Sequence, residues 1–265
     1  MNLIGILGNA GAGKDSIGGF IVEATRGKTL SLAEPMKQFA MQTFGFSHDT
    51  LFGPSQSRNF VHKEYATEHT ANVVIKKLQG QDTLEWLASI FPEKDPEELH
   101  LVHKSLVQWG EDLLDQAALE GGLSARKTLQ TLGTEWGRGY SPDVWVNHAV
   151  RRAKAMLQHQ GVSVVAITDC RFLNEARVLS GIGHVWRVTR PGYDGSVAGG
   201  ISGHASERDQ QSDEIKQYVS LEVANDGTLS DLRIKTYESL SGLGVSNGVT
   251  DDYSGWERLQ HTAAR

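Results

Sequence analysis

Cysteine is almost absent from this chain. Cys170 is the only one in 265 residues, so no internal disulfide can form and the core must hold the fold. Long apolar runs are missing too. The longest, residues 162–167, is far too short to cross a membrane, and no membrane partner is expected. Positive net charge is lacking: the formal value is -6, which argues against broad duplex binding but leaves room for a local basic cleft. No stable nucleic-acid partner is therefore expected. No charged-then-apolar leader precedes the first apolar run, and a reducing, cytoplasmic setting is expected. Internal repeats and long low-complexity segments are also missing. What remains, 39% hydrophobic and 22% charged, suits a soluble globular chain of one large or two small domains.

The strongest feature present is Gly8-Asn9-Ala10-Gly11-Ala12-Gly13-Lys14-Asp15. The apolar run Leu3-Ile4-Gly5-Ile6-Leu7 before it predicts a buried strand. Apolar residues at 17, 20 and 21 after it predict a helix. Strand, glycine-rich turn and helix form the context of a phosphate-binding loop, G-x-x-x-x-G-K. Glycines let successive N–H groups turn inward around phosphate oxygens, and the helix start adds unpaired donors. Lys14 supplies a mobile cation for the β- and γ-phosphates. Where Ser or Thr usually follows the Lys to bind Mg²⁺, this chain has Asp15, with Ser16 one later. A carboxylate can hold Mg²⁺ directly or through water. A dinucleotide-binding G-x-G-x-x-G fails, because position 10 is Ala.

Residues 28–32 predict a short second strand, and Ala33-Glu34-Pro35-Met36-Lys37 opens a helix. Pattern alone makes Lys37 a solvated surface lysine. Residues 45–120 read as a mostly helical insert. His100 and His103 are three apart there, but no third metal ligand stands out, so an exposed helix face is the expectation. Beyond it, Arg126, Gln130, Thr134 and Arg138 are spaced four apart. In a continuous helix they share a polar face, turned either to a cleft or to water. Gly133 and Gly137 are poor helix formers and point to close approach by another backbone or a ligand, or to simple packing.

Residues 161–169 form a nearly continuous apolar run ending in Asp169, the signature of a central parallel strand. Ligands of open α/β sheets bind beyond the carboxyl ends of strands, which places Asp169 and Arg171 near the loop. Asp169 is then a candidate second acidic Mg²⁺ site, with a capping role as the alternative. Cys170 reads as packing, since no base can be assigned to it. Residues 184–189 and 218–223 predict further strands. Residues 192–212 have the make-up of a lid, carrying His204, Ser206, Glu207 and Arg208, or of a surface loop. The stretch from about 242 reads as a loosely held tail.

Taken together, the chain resembles the bacteriophage deoxynucleoside monophosphate kinases of the P-loop nucleoside monophosphate kinase group. The matching segments are Gly8 to Asp15, with the unusual Asp after Lys; Leu32-Ala33-Glu34-Pro35-Met36-Lys37; Leu129-Gln130-Thr131-Leu132-Gly133-Thr134-Glu135; Asp169-Cys170-Arg171-Phe172-Leu173-Asn174-Glu175; Arg190-Pro191-Gly192; His204-Ala205-Ser206-Glu207; and Asn225-Asp226-Gly227-Thr228. The resemblance implies an α/β three-layer P-loop kinase fold with a central parallel sheet, a mostly helical acceptor-binding insert and a lid. The core would be 1–44 and 121–242 with the lid at about 191–212, the insert 45–120 and the tail 243–265.

It also implies transfer of the ATP γ-phosphoryl group to a deoxynucleoside monophosphate, with ATP and Mg²⁺ as cofactors, in phage nucleotide supply within the host cytoplasm. ATP would be held by Gly11, Ala12, Gly13, Lys14, Asp15 and Ser16, with Arg190 and Asn225. The acceptor would be held by Lys37, Arg126, Gln130, Thr134, Glu135, Arg138 and Arg171. Asp15 and Asp169 would place the metal, and Lys14, Asp169, Arg171 and Arg138 would be the catalytic set. A homodimer is compatible with this reading. Competing readings are a P-loop kinase for another acceptor (dephospho-coenzyme A, phosphomevalonate or a modified base in DNA) and a non-catalytic ATP-binding protein.

Overall fold

The computed structural model describes residues 2–192 and 212–243. The lid candidates His204, Ser206, Glu207 and Arg208, and the tail from residue 244 on, lie outside the described residues. The strands are β1 (Leu3–Leu7), β2 (Lys28–Leu30), β3 (Val61–His62), β4 (Leu123–Ser124), β5 (Val165–Cys170), β6 (His184–Thr189) and β7 (Leu221–Ala224). The helices are α1 (Lys14–Ala24), α2 (Glu34–Phe44), α3 (His48–Phe52), α4 (Glu68–Leu78), α5 (Gln81–Ile90), α6 (Pro96–Glu120), α7 (Ala125–Gln130), α8 (Val144–His159), α9 (Leu173–Ser180), α10 (Asp213–Lys216) and α11 (Leu229–Gly242). A π-helical segment, Thr131–Arg138, continues α7.

Five strands form one parallel sheet in the order β2-β5-β1-β6-β7. β1 lies at its centre and is buried throughout, as its unbroken apolar run requires. Its side chains alternate between two cores. Leu3 and Leu7 join a cluster with Ala149, Ala176 and Leu179 of α8 and α9, while Ile4 and Ile6 join Ile17 and Ile21 of α1 and Leu232 and Leu240 of α11. Helices therefore cover both faces, giving a three-layer α/β architecture with the central sheet of a P-loop kinase. Among the described residues no helix is long and apolar enough to cross a membrane.

Residues 45–120 contain α3 to α6. Their apolar residues, including Leu51, Val74, Leu87 and Leu106, belong to the same cluster as Leu3 and Leu7. α6 starts with a reciprocal cap between Asp95 and Glu98 and stops at Gly121, whose φ is 80°. His103 Nε2 lies 2.7 Å from the carbonyl oxygen of Leu78, so this ring ties α6 to α4. No group of three or more potential metal-ligating side chains occurs among the described residues.

Three strands differ in extent from the sequence expectation. β2 stops at Leu30, because the N–H groups of Leu32 and Ala33 donate to the Asp169 carboxylate instead of to a ladder. β5 begins only at Val165, although Lys28 already donates to Val164 O. β7 begins at Leu221, since the Tyr218 and Val219 N–H groups close the turn after α10.

Candidate active site

The loop between β1 and α1 is shaped by glycines where side chains cannot go. Gly8, Gly11 and Gly13 have φ of 151°, 77° and 107°. A Cβ on Gly8 would stand 2.7 Å from Val188 O, and one on Gly13 would stand 2.8 Å from Asn225 Nδ2. α1 begins at Lys14, directly behind this turn. The Lys14 ammonium folds back onto the loop, donating to Gly8 O at 2.6 Å and Asn9 O at 2.8 Å. Burial, then the nearby Arg171 charge, lowers its pKa to about 8. The positive-φ glycine turn, the helix start behind it and an ammonium with no carboxylate partner among the described residues fit a triphosphate.

Asp169 sits at the carboxyl end of β5, as its sequence position implied. Its two oxygens accept from Ser31 Oγ (2.6 Å), Leu32 N (2.7 Å) and Ala33 N (3.1 Å). The carboxylate thus caps the turn that leads into α2. Asp15 is exposed in the first turn of α1 and accepts no hydrogen bond from a described residue. Of the two carboxylates, Asp15 therefore has the lone pairs to spare for Mg²⁺, while Asp169 has an established structural task. Mg²⁺ commonly needs only one or two protein carboxylates beside phosphate oxygens, a demand that Asp15 suits.

Five cations are linked through Arg171, from the loop lysine to the start of the insert. Lys37 on α2 is half-buried, with its ammonium 4.9 Å from the centre of the Phe52 ring. Burial, Arg58 and Arg171 all lower its pKa. Arg58 follows α3 in a 3₁₀ turn and donates to Leu51 O at 3.0 Å. Burial, then Arg126 and Arg171, lowers its pKa in turn. Arg126 on α7 donates to Asn59 Oδ1 and to the oxygens of Ser55, and it too is lowered by burial and by Arg171. Arg171 is exposed, and its side chain makes no hydrogen bond to a described residue. Arg171 thus opposes the charge of Lys14, Lys37, Arg58 and Arg126 alike, and Asp15 and Asp169 offset it at Lys14 and Lys37. Such a surplus of positive charge is a site for a polyanion. Arg58 escaped the sequence reading, because nothing local in Ser57-Arg58-Asn59 marks it.

The 124–138 helix does not present one polar face. The π turns add a residue per hydrogen-bonded ring, so spacing by four drifts around the axis. Arg126 turns to the insert, while Arg138 donates to Glu175 Oε1 at 2.5 Å and lies 3.7 Å over the Phe172 ring. Gly133 and Gly137 admit side chains, not a ligand or a backbone. A Cβ at Gly137 would stand 2.4 Å from the Trp145 ring, whose Nε1 donates to Gly133 O at 2.9 Å. Gln130 and Thr134 are half-buried and Glu135 is exposed.

On the other flank, Asn225 donates to Ala12 O at 2.9 Å and braces the loop. Arg190 Nη1 approaches Gly11 O at 3.4 Å. A cleft of about 220 Å³ runs there, lined by Asn9, Ala12, Thr189, Arg190 and Ile215 among others. Ser16 is half-buried in the first turn of α1. Cys170 is fully buried, and burial pushes its thiol well above the usual range, so it is no nucleophile.

A comparison with curated proteins gives no match. The family model for deoxynucleotide monophosphate kinase matches residues 2–236, a span that takes in the loop, all five sheet strands and every cation of the cleft. With nearly the whole described chain covered, this protein belongs to the deoxynucleotide monophosphate kinase family.

Proposed function

We propose that this phosphotransferase moves the γ-phosphoryl group of ATP onto the 5′-phosphate of a deoxynucleoside monophosphate, giving ADP and a deoxynucleoside diphosphate, in phage nucleotide supply. The observation that carries the reading is the cluster of Lys14, Lys37, Arg58, Arg126 and Arg171 at the mouth of the phosphate loop. One phosphate chain does not require charges on both the loop and the insert. Two phosphorylated substrates meeting there do.

An acceptor phosphate oxygen bonds to the γ-phosphorus as the bond to the β-bridging oxygen breaks, and the electron pair leaves with ADP. No general base is needed, because the attacking oxygen is already anionic. Catalysis is then positioning and charge neutralisation. The loop N–H groups from Gly11 to Lys14 hold the donor β-phosphate. Lys14 exchanges the Gly8 and Asn9 carbonyls for phosphate oxygens. Arg190 and Asn225 flank the donor. Lys37, Arg58 and Arg126 hold the acceptor phosphate, and Arg171 meets the group in transit. Mg²⁺, when bound, neutralises donor charge, with Asp15 as its nearest carboxylate and Asp169 fixing the α2 turn beside it. The helical insert, residues 45–120, covers the acceptor base, along which Gln130, Thr134 and Glu135 are spaced.

The test is ADP release by the purified protein with ATP, Mg²⁺ and each common or modified deoxynucleoside monophosphate in turn. Stimulation by at least one acceptor is expected. A folded protein indifferent to the whole panel overturns the reading.

A further inference from the structure

Among the described residues, Glu175 is the one buried carboxylate, and the proposed chemistry leaves it without a task. It is 2% exposed, at the start of α9. Its Oε1 takes the Arg138 guanidinium at 2.5 Å. Its Oε2 accepts the backbone N–H of Arg171 at 2.8 Å and of Phe172 at 3.0 Å. The Arg138 guanidinium carbon in turn lies 3.7 Å from the centre of the Phe172 ring. One carboxylate therefore ties the end of the π segment to the turn that follows β5.

That turn carries Arg171 into the cleft. The Arg171 guanidinium has no hydrogen-bonded partner among the described residues, yet its charge is felt at Lys14, Lys37, Arg58 and Arg126. Its placement thus depends on the backbone that Glu175 holds. A buried ion pair is a poor way to gain stability, since an apolar pair of like volume often does as well. What it does supply is fixed direction: two N–H groups and one planar guanidinium meet a carboxylate in only one arrangement. Burial drives the Glu175 carboxyl up, and Arg138 with the two N–H groups opposes that rise.

We infer that Glu175 is a positioning residue, which sets Arg171 in the phosphoryl-transfer cleft and uses Arg138 as its counter-charge. Arg138 then acts through Glu175 and not on substrate. The inference rests on the kinase reading above and extends it to a residue outside substrate contact.

The experiment is a double-mutant cycle in the full-length protein. Steady-state constants are measured for wild type, Glu175→Gln, Arg171→Ala and the double variant, with thermal unfolding of each. Glu175→Gln is expected to lower kcat about tenfold while leaving the KM for ATP within about twofold. In the Arg171→Ala background the same change should cost less than about twofold, because the group it positions is gone. Arg138→Lys, which keeps the charge but loses the planar fork, should repeat the pattern if Glu175→Gln does not fold. Amide exchange in the ligand-free protein should accelerate at 171 and 172 in either variant. Equal proportional losses in both backgrounds, or unchanged exchange at those amides, overturn the inference while wild-type turnover keeps the kinase reading. Absence of wild-type turnover with every deoxynucleoside monophosphate overturns both.

Discussion

Lys14 is held by carbonyls that a phosphate would displace, and its charge is buried at a cost. Replacing it with Met should lower kcat by about a thousandfold or more and raise Tm by a few degrees, since no ammonium then needs solvation. The pH dependence fixes the sign. The folded pKa, about 8, lies below the unfolded 10.5, so the unfolded chain binds more protons between them. Wild-type stability should gain on the Lys14→Met variant as pH rises from about 8 to 10.5, read by urea unfolding across that range. Arg58 offers a second test. Arg58→Ala should raise the acceptor KM about tenfold or more and leave that for ATP nearly unchanged. The two residues also differ in legibility. Lys14 announces itself through glycines within six positions. Arg58 gains its meaning from Arg126 and Arg171, which lie far along the chain. For Asp169 the strand end disclosed the location, but not the three donors at Ser31, Leu32 and Ala33 that occupy its oxygens.

Among the elements, the helix from 125 to 138 shows where periodicity misleads. Spacing by four suggested one face, but Trp145 enters beside Gly133 and Gly137 and the backbone widens into π turns. Nothing in the local sequence specifies that intrusion, because its cause sits on the next helix. α8 carries another hidden feature. His148 is buried with Nδ1 3.3 Å from Ser89 O, joining α8 to α5, and burial lowers its pKa to about 4. That value lies below the unfolded 6.5, so the stability it contributes is complete above about pH 6.5 and is lost as pH falls toward 4. His148→Gln should flatten this acid slope. The difference between pH 7 and 4.5 in urea unfolding should shrink by about 2 kcal/mol. An unchanged slope would assign the acid sensitivity to other groups.

At the scale of the molecule, the sheet was the most legible part. Residues 3–7 and 165–170 read as buried strands because a sheet covered on both faces demands unbroken apolar runs. Strand order was not legible, since it depends on crossovers and not on composition. It puts the phosphate loop at the middle of the sheet, between the β5 and β6 ends. Two nucleotides joined by a five-phosphate bridge would span both sides of that midpoint. Such a compound should raise Tm by several degrees more than ATP or a monophosphate alone at equal concentration, by linkage to the folded state. Equal shifts would mean that the two half-sites do not communicate through one cleft.

The placement of β1 has one more consequence, for inheritance. Every element on the β5 side of the loop, from β2 through the insert to β5, is encoded between residues 28 and 170. Every strand on the β6 side is encoded after 183. The two halves of the sheet are thus two consecutive stretches of gene. Two crossovers, one after α1 and one after β5, would exchange residues 28–170 and leave the phosphate loop with the β6 side.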